Sequence, residues 1–369
     1  MSNALIALIV FVVTLLTSVA FVYKTTDLFS RLGLVDKPGP DRVSTNPVPR
    51  GLGVAIFLAF LVGIASSYFL PVERQPRETE RILLMVIGAA IVVGVMLVDD
   101  AISLGPKVKL VWQIVAAGVV ILPRLRSVDH GIIIEQFNLP FLGTMTIPVA
   151  IGIVATVVWL VGMMNVMNWV DGLDGLAGSV TLVACIVLFI HTYFGPDGFP
   201  QFTISLLPLA LGAAILGFLP FNWHPAKVIM GDAGAMFLGF TLGVISIIGG
   251  AKIATALLVL GLPLLDGLWV TVYRMIHGRS PLNRDMGHLH HRLLAFGLGQ
   301  RAIVLIVAGT SALFGAASLL LPNPVLKLAA FVLIGILLFA LVWWLARRTD
   351  EPALGSKKAP DQTVRRPGV

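Results

Sequence analysis

Long apolar runs separated by short polar stretches dominate the chain, and eleven of these runs are candidate membrane-spanning helices. A helix needs roughly 20 apolar residues to cross the hydrocarbon core of a bilayer. The candidate spans are residues 5–22, 51–70, 82–98, 111–122, 148–168, 176–193, 202–219, 235–248, 253–273, 303–321 and 328–345. The fourth and eighth runs are short, so each either extends into flanking polar residues or fails to span. The pattern predicts an all-α polytopic membrane protein with about eleven transmembrane helices.

Two segments differ from this pattern. Residues 131–147 contain β-branched runs around Pro140, which predicts a small β-hairpin outside the bilayer. Residues 347–369 are rich in Pro, Lys and Arg, which predicts a disordered basic tail. Residues 1–346 are therefore expected to form one integral membrane catalytic domain.

Composition excludes a single water-soluble core. Of 369 residues, 57% are hydrophobic and only 12% are charged, whereas soluble domains average about 25% charged residues. Cys185 is the only cysteine, so no disulfide forms within the chain. The N-terminus lacks a basic segment and a small-residue cleavage site, which favours a retained first helix over a cleaved signal peptide.

Lysine and arginine predict the orientation, because cytoplasmic loops are enriched in them. The chain has 26 such residues, most of them in loops after odd-numbered helices and in the tail. The opposite side holds Arg74, Arg77, Arg81, Arg124, Arg126, Lys252 and Lys327. The N-terminus is therefore predicted outside, with the hairpin, and the C-terminus in the cytoplasm, in an inner (plasma) membrane. This bias also explains the net charge of +7 without a nucleic-acid partner.

Polar residues collect in five stretches on the predicted cytoplasmic side, namely 36–53, 98–107, 165–175, 222–234 and 279–292. Five carboxylates lie at or just beyond helix ends there: Asp99, Asp100, Asp171, Asp174 and Asp232. Each alone is equally well explained as an interfacial cap facing water, but five on one face favour a functional site. Close carboxylates repel unless a cation lies among them. Oxygen ligands favour Mg²⁺, with Mn²⁺ as a substitute, and the single cysteine disfavours zinc.

Other residues in these stretches suit phosphate groups. Glycines at 172, 175, 231 and 234 allow close backbone approach, and helix N-termini nearby would attract anions. Basic side chains on the same side are Arg42, Arg50, Lys107, Lys109 and Arg292. A membrane-anchoring role is the preferred interpretation for Arg42 and Lys109. Phosphate binding is preferred for Lys107, because it follows the Asp99–Asp100 pair closely.

Histidines and one intramembrane carboxylate complete the candidates. His288, His290 and His291 form a short cluster in the longest cytoplasmic loop. Contact with a phosphate or pyrophosphate is favoured over a soft-metal site, because no second soft-ligand cluster accompanies them. Asp266 lies inside the ninth apolar run after Pro263. It is either functional or satisfies backbone groups freed by the proline, and the sequence leaves both interpretations open.

Four motifs in this order resemble the polyprenyl-phosphate N-acetylhexosamine-1-phosphate transferases. They are the Asp-Asp pair at 99–100, N-x-x-N-x-x-D-G-x-D-G at 165–175, P-A-K-V-x-x-G-D-A-G at 225–234 and H-L-H-H-R-L at 288–293. Each motif alone is weak, but four in order on one predicted face are a strong signal. The histidine motif is most similar to the N-acetylglucosamine-type initiators. The family also has ten or eleven spans with the N-terminus outside.

The resemblance implies roles for individual residues. Asp232 corresponds to a Mg²⁺ ligand and Asn168 to a second oxygen ligand. Asp99 corresponds to the carboxylate that takes the acceptor's proton, and Asp100 is its catalytic neighbour. The resemblance also implies nucleoside and pyrophosphate contacts for Asp171, Asp174 and Asn222, and places His290 and His291 near the sugar diphosphate. The sequence predicts four further substrate-binding residues: Asn165, Lys107, His288 and Arg292.

Some positions depart from the family pattern. Ser103 replaces the third carboxylate of Asp-Asp-x-x-Asp, and Ala235 replaces the serine of G-D-A-G-S. A histidine common in the first cytoplasmic loop of the family is absent between Asp36 and Arg50. These departures bear on the identity of the donor more than on the reaction.

The implied reaction transfers a sugar-1-phosphate, expected to be N-acetylglucosamine-1-phosphate, from a UDP-sugar to undecaprenyl or another polyprenyl phosphate. UMP is released, and the product would begin a cell-wall or surface polysaccharide. A secondary transporter is the alternative, but transporter sites lie near the midplane and often accompany internal repeats. No repeat is evident here, and the polar stretches share one face. Homodimer formation is left open.

Overall fold

The computed structural model describes residues 1–36, 47–127, 130–139, 143–195, 198, 200–249, 253–276, 278, 288–321 and 324–348. These residues form thirteen α-helices, one 3-10 helix (Leu122–Leu125) and two short antiparallel strand pairs. The helices are α1 (Asn3–Arg31), α2 (Gly53–Ser67), α3 (Glu78–Ile102), α4 (Pro106–Ile121), α5 (Val149–Val170), α6 (Leu176–Phe194), α7 (Phe202–Asn222), α8 (Gly231–Ile248), α9 (Ile253–Val259), α10 (Gly261–Ile276), α11 (Leu289–Ala295), α12 (Gln300–Leu320) and α13 (Pro324–Arg348). The strands are β1 (Val35–Asp36), β2 (Val48–Pro49), β3 (Gln136–Leu139) and β4 (Gly143–Thr146).

The prediction of a polytopic helical membrane protein is confirmed. Within the described residues, eight helices are long and apolar enough to cross a membrane, or nine if the bent pair α9–α10 is one span. Helix α2 has 15 residues, which at 1.5 Å per residue gives about 22 Å, less than a bilayer core. The described apolar part of α13, Val325–Leu337, is also short. The count of eleven spans therefore stays a prediction.

Helix α8 lies at the centre of the bundle, and every one of its residues is buried. It packs against α3, α5 and α2. Glycines make this possible, since a side chain at Gly239 would collide with the backbone of α5 at Met163, and one at Gly53 of α2 would collide with Gly234. Small residues let helix backbones approach closely where no hydrophobic effect drives association. The start of α8 is thereby held among the ends of its neighbours.

The ninth predicted span is broken. Helices α9 and α10 meet at a bend of 78° around Leu260. Pro263 lies in the first turn of α10, where a proline is tolerated but cannot donate the backbone bond needed to continue α9. The break directs α10 away from the axis of α9 and brings Asp266 next to α11.

The predicted hairpin region contains the paired strands β3 and β4, with Gln136 opposite Thr146 and Leu139 opposite Gly143. Its location outside the bilayer stays a prediction. Helix α13 continues to Arg348, slightly beyond the predicted start of the tail at residue 347. The rest of that tail, residues 349–369, lies outside the described residues.

Candidate active site

Three carboxylates meet where the end of α3 adjoins the start of α8. Asp99 and Asp100 lie in the last turn of α3, and Asp232 lies in the first turn of α8. One oxygen atom from each lies within 4.8 Å of the others. Asp99 and Asp232 are buried, and Asp100 is half-buried. Carboxylates this close need cations or protons among them.

Asp100 holds the N-terminus of α8. Its carboxylate accepts hydrogen bonds from the backbone N–H groups of Asp232 at 3.0 Å and Ala233 at 3.2 Å. The first N–H groups of a helix have no partner within the helix and carry partial positive charge, so a carboxylate stabilises them. Gly231 has φ +74°, and a side chain there would collide with the Asp100 carboxylate. The glycine is therefore required for this contact.

Two basic side chains neutralise the cluster. Arg50 donates from Nε to Asp100 at 2.8 Å and from Nη2 to Asp232 at 3.0 Å, and its Nη1 lies 3.4 Å from Asp36. Lys109 donates from Nζ to Asp232 at 2.6 Å and also contacts Asp99. Burial disfavours the charged guanidinium, but the carboxylates of Asp100 and Asp232 outweigh it and raise the pKa of Arg50.

The contacts of the two lysines on α4 differ from those that the sequence interpretation favours. Lys107, the candidate phosphate ligand, is exposed, whereas Lys109, interpreted as a membrane anchor, is the lysine that contacts the carboxylates. Residues two apart on a helix do not share a face. Proximity to the Asp-Asp pair in the sequence was therefore a poor guide to which lysine reaches it.

The end of α5 adds two further candidates. Asn168 donates from Nδ2 to Asp232 at 3.2 Å. Asp171 follows the last residue of α5 as its C-cap. Burial and the negative charges of Asp232 and Asp100 raise the pKa of Asp171 well above its ordinary value, although Arg50 opposes this. The structure thus brings together four of the five predicted carboxylates with Asn168, Arg50 and Lys109.

Comparison with known proteins identifies the family. The model of glycosyl transferase family 4 matches residues 82–250. A probable undecaprenyl-phosphate N-acetylglucosaminyl 1-phosphate transferase of Bacillus subtilis is 30% identical over 343 residues, covering 90% of this chain and 89% of that protein. The decaprenyl-phosphate N-acetylglucosaminephosphotransferase of Mycobacterium tuberculosis is 34% identical over 363 residues, covering 88% and 85%. The undecaprenyl-phosphate alpha-N-acetylglucosaminyl 1-phosphate transferase of Salmonella typhimurium is 28% identical over 309 residues, covering 80% and 78%.

The chain belongs to glycosyl transferase family 4. The resemblance to polyprenyl-phosphate sugar-1-phosphate transferases, stated from four short motifs, is confirmed by relatives that match most of its length. The similarity to N-acetylglucosamine-type members is confirmed as well, because the names of these three relatives specify that sugar.

Two residues predicted to bind substrate make contacts that join loops of the transferase. Asn222, 3% exposed, accepts from the backbone N–H of Gly175 at 3.1 Å and donates to the carbonyl of Val228 at 2.9 Å. Asp174 accepts from the N–H of Ala226 at 3.1 Å and lies 2.7 Å from His224 Nδ1. Both side chains connect the 171–175 turn to the 222–228 loop. These contacts hold the turn and the loop together, and the prediction that the two residues bind substrate stays a prediction.

Asn165 is likewise engaged with protein groups. It exchanges hydrogen bonds with Gln113 of α4, and its Nδ2 donates to the carbonyl of Val161 at 2.8 Å. The Gln113 side chain is buried and also reaches Met236 of α8. This polar contact joins α4, α5 and α8 below the carboxylates. The sequence signal for this contact is Gln113, a polar residue within an apolar helix, which none of the four motifs includes.

The histidine motif of the transferase lies at and just after the N-cap of α11. His288 is the N-cap, and its Nδ1 lies 2.9 Å from Asp266. His290 is buried against Gly172, and its Nε2 has no hydrogen-bond partner among the described residues. Burial, followed by the nearby His291 and His288, lowers the pKa of His290 well below its ordinary value. Both effects favour the neutral imidazole. Arg292 is buried in the same helix.

The residues of the site fit a hard divalent cation. The donors that converge are carboxylate oxygens from Asp99, Asp100 and Asp232, with the amide of Asn168 touching Asp232. An amide carries an oxygen as well as its N–H₂ group, and the two are interchangeable by rotation. Oxygen-only donor sets suit Mg²⁺. Lys109 and Arg50 already lie among these oxygens, which shows that the site accommodates positive charge.

Proposed function

We propose that this transferase moves N-acetylglucosamine-1-phosphate from UDP-N-acetylglucosamine to a polyprenyl phosphate and releases UMP. The observation that carries the proposal is the convergence of Asp99, Asp100 and Asp232 with Arg50 and Lys109, in a chain of this family. The charged groups lie at the ends of α3 and α8, which favours a membrane-surface enzyme over a transporter with a midplane site.

The reaction is one phosphoryl transfer. An oxygen of the acceptor phosphate forms a bond to the phosphorus that carries the sugar. The bond from that phosphorus to the oxygen of the UMP group breaks, and UMP leaves with the electron pair. Such transfers depend mostly on positioning and charge neutralisation, and the site has two cations and three carboxylates for that purpose.

We assign the roles from the contacts. Asp100 is fixed by Arg50 and two backbone N–H groups, which suits positioning. Asp99 accepts from the backbone N–H of Leu104 at 2.7 Å and contacts Lys109. We assign it the proton of the acceptor phosphate, the role that the family resemblance implies. Arg50 and Lys109 are proposed to bind phosphate oxygens of the substrates. Asp171, His290, His291 and Arg292 are proposed to contact the donor.

The cofactor in this proposal is Mg²⁺, held by Asp232 and Asn168, with Mn²⁺ as a substitute. When bound, the ion supplies positive charge that offsets the pyrophosphate of the donor. The proposed location is the plasma membrane with the site facing the cytoplasm, supported by the distribution of Lys and Arg along the sequence. The product would begin a cell-wall or surface polysaccharide.

Exchange of labelled UMP tests this function. Purified protein in detergent with undecaprenyl phosphate should move label from UMP into UDP-N-acetylglucosamine, because the reaction is reversible through the lipid-linked product. Omission of the lipid should abolish exchange, and other UDP-sugars should support less of it. A transporter would not catalyse exchange, so its absence in the complete mixture would refute the proposal.

Chelation is expected to remove the activity. EDTA should abolish exchange, and added Mg²⁺ should restore it, because the carboxylate cluster would lose the cation that offsets the charge of the donor. The measurement is the initial exchange rate against free Mg²⁺ after chelation. Full activity in excess EDTA would refute the metal assignment.

A further inference from the structure

Asp266 contacts the start of the histidine helix through both carboxylate oxygens. Oδ1 accepts from the backbone N–H of Leu289 at 2.8 Å, and Oδ2 lies 2.9 Å from Nδ1 of His288. Leu289 is the first residue of α11, and His288 is its N-cap. Asp266 therefore has specific partners in a separate element, 22 and 23 residues along the chain. The sequence left open both a functional role for Asp266 and the satisfaction of backbone groups freed by Pro263. The backbone N–H of Leu289, in α11, is not one of those freed groups.

The same part of α10 is fixed against the end of α5. A side chain at Gly267 would collide with the ring of Trp169. The Trp169 ring also lies 5.8 Å from the His288 ring, centroid to centroid. Asp266, His288 and Trp169 thus form one contact between the bent span, α11 and the last turn of α5. That turn is immediately followed by Asp171.

His290 connects α11 to the turn that follows α5. His290 is 5% exposed, and its Nε2 lies against Gly172, where any side chain would collide with it. Its position depends on where α11 begins, because His290 is in the first turn of a helix of only seven residues. A helix this short has little stability of its own and is held by its tertiary contacts.

We propose that Asp266 is a positioning residue for the transfer reaction, which fixes the start of α11 and so holds His290 beside the Asp171–Gly172 turn. Asp266 acts through His288 and the Leu289 amide and touches no substrate. The proposal rests on the proposed function. It also means that the bend between α9 and α10, which places Asp266, affects the position of the groups proposed to contact the donor.

The test compares Asp266→Ala, His288→Ala and the double variant in the UMP exchange assay. Misplacement of a group by about 1 Å can cost about 10²-fold in rate, so Asp266→Ala should lower kcat/KM for UDP-N-acetylglucosamine by about that factor. KM for undecaprenyl phosphate should change little. The double variant should be no worse than the more damaged single variant, because both substitutions break one contact.

A second measurement does not depend on activity. Hydrogen exchange of the segment 288–296 should accelerate in Asp266→Ala, with α8 unchanged. Asp27→Ala is the control, since Asp27 is 64% exposed on α1. Asp266→Asn keeps an oxygen for the Leu289 amide and should recover part of the activity. If Asp266→Ala does not fold, His288→Ala carries the hydrogen-exchange test, because it removes the contact with Asp266 Oδ2 from the other side.

The outcomes separate the two proposals. Wild-type protein without exchange activity refutes the proposed function. If wild-type protein is active, unchanged hydrogen exchange of 288–296 refutes the positioning role. So do additive losses in the double variant, or an equal loss of affinity for both substrates.

Discussion

Asp232→Asn is expected to lower the transfer rate by about 10²–10³-fold, the loss that follows removal of one charge-stabilising group. Asp232 is where the cluster converges, because Arg50, Lys109 and Asn168 all donate to its carboxylate. The asparagine keeps the shape of the side chain but removes a negative charge from the proposed metal site. The measurement is the exchange rate of the folded variant at saturating substrate, together with the Mg²⁺ concentration needed for half activity, which should rise.

The fold of Asp232→Asn should survive. Lys109 retains Asp99, and Arg50 retains Asp100, so neither cation is left unpaired. Asp100 still holds the start of α8 through its two backbone contacts. Thermal unfolding in detergent should therefore resemble that of the control Asp27→Asn. Near-normal turnover at unchanged Mg²⁺ dependence would mean that the ion lies elsewhere.

Much of the architecture was predictable because lipid imposes a simple pattern. A helix is the only way for a single apolar segment to satisfy its backbone in a bilayer, so each of the eleven apolar runs contains helix in the structure. The ends of the helices were predicted less accurately than their existence. Helix α8 starts at Gly231, four residues before the predicted run, because the Gly-Asp-Ala-Gly stretch is its first turn. The bend between α9 and α10 was not visible as an interruption of hydropathy.

The site was predictable in its residues and less so in their contacts. Asp99, Asp100 and Asp232 were grouped by sequence and do converge. Asn222 and Asp174 carry the same motif signal but are engaged with backbone groups of neighbouring loops. A polar residue at a helix end can bind substrate or hold a loop, and sequence alone does not distinguish the two. The partner is decided by tertiary packing.

The two lysines of α4 give the sharpest comparison between the sequence-based and structure-based assignments. Lys109→Met should lower the exchange rate by about 10²-fold, because Lys109 is the cation that lies between Asp99 and Asp232. Its loss leaves both carboxylates with one fewer counter-charge, and removing one partner of a buried ion pair typically costs about 3–5 kcal/mol. The midpoint temperature of thermal unfolding should therefore fall as well.

Lys107→Met should retain most of the activity, since Lys107 is exposed and two residues away on a different face of α4. Lys24→Met on the exposed surface of α1 controls for the loss of one positive charge. Both variants are measured in the UMP exchange assay beside Lys109→Met, with stability followed by thermal unfolding. Loss of activity in Lys107→Met with full activity in Lys109→Met would restore the sequence-based assignment. It would also mean that Lys109 neutralises the carboxylates only in the substrate-free protein, and that a phosphate group of the substrate is bound farther out, at the start of α4.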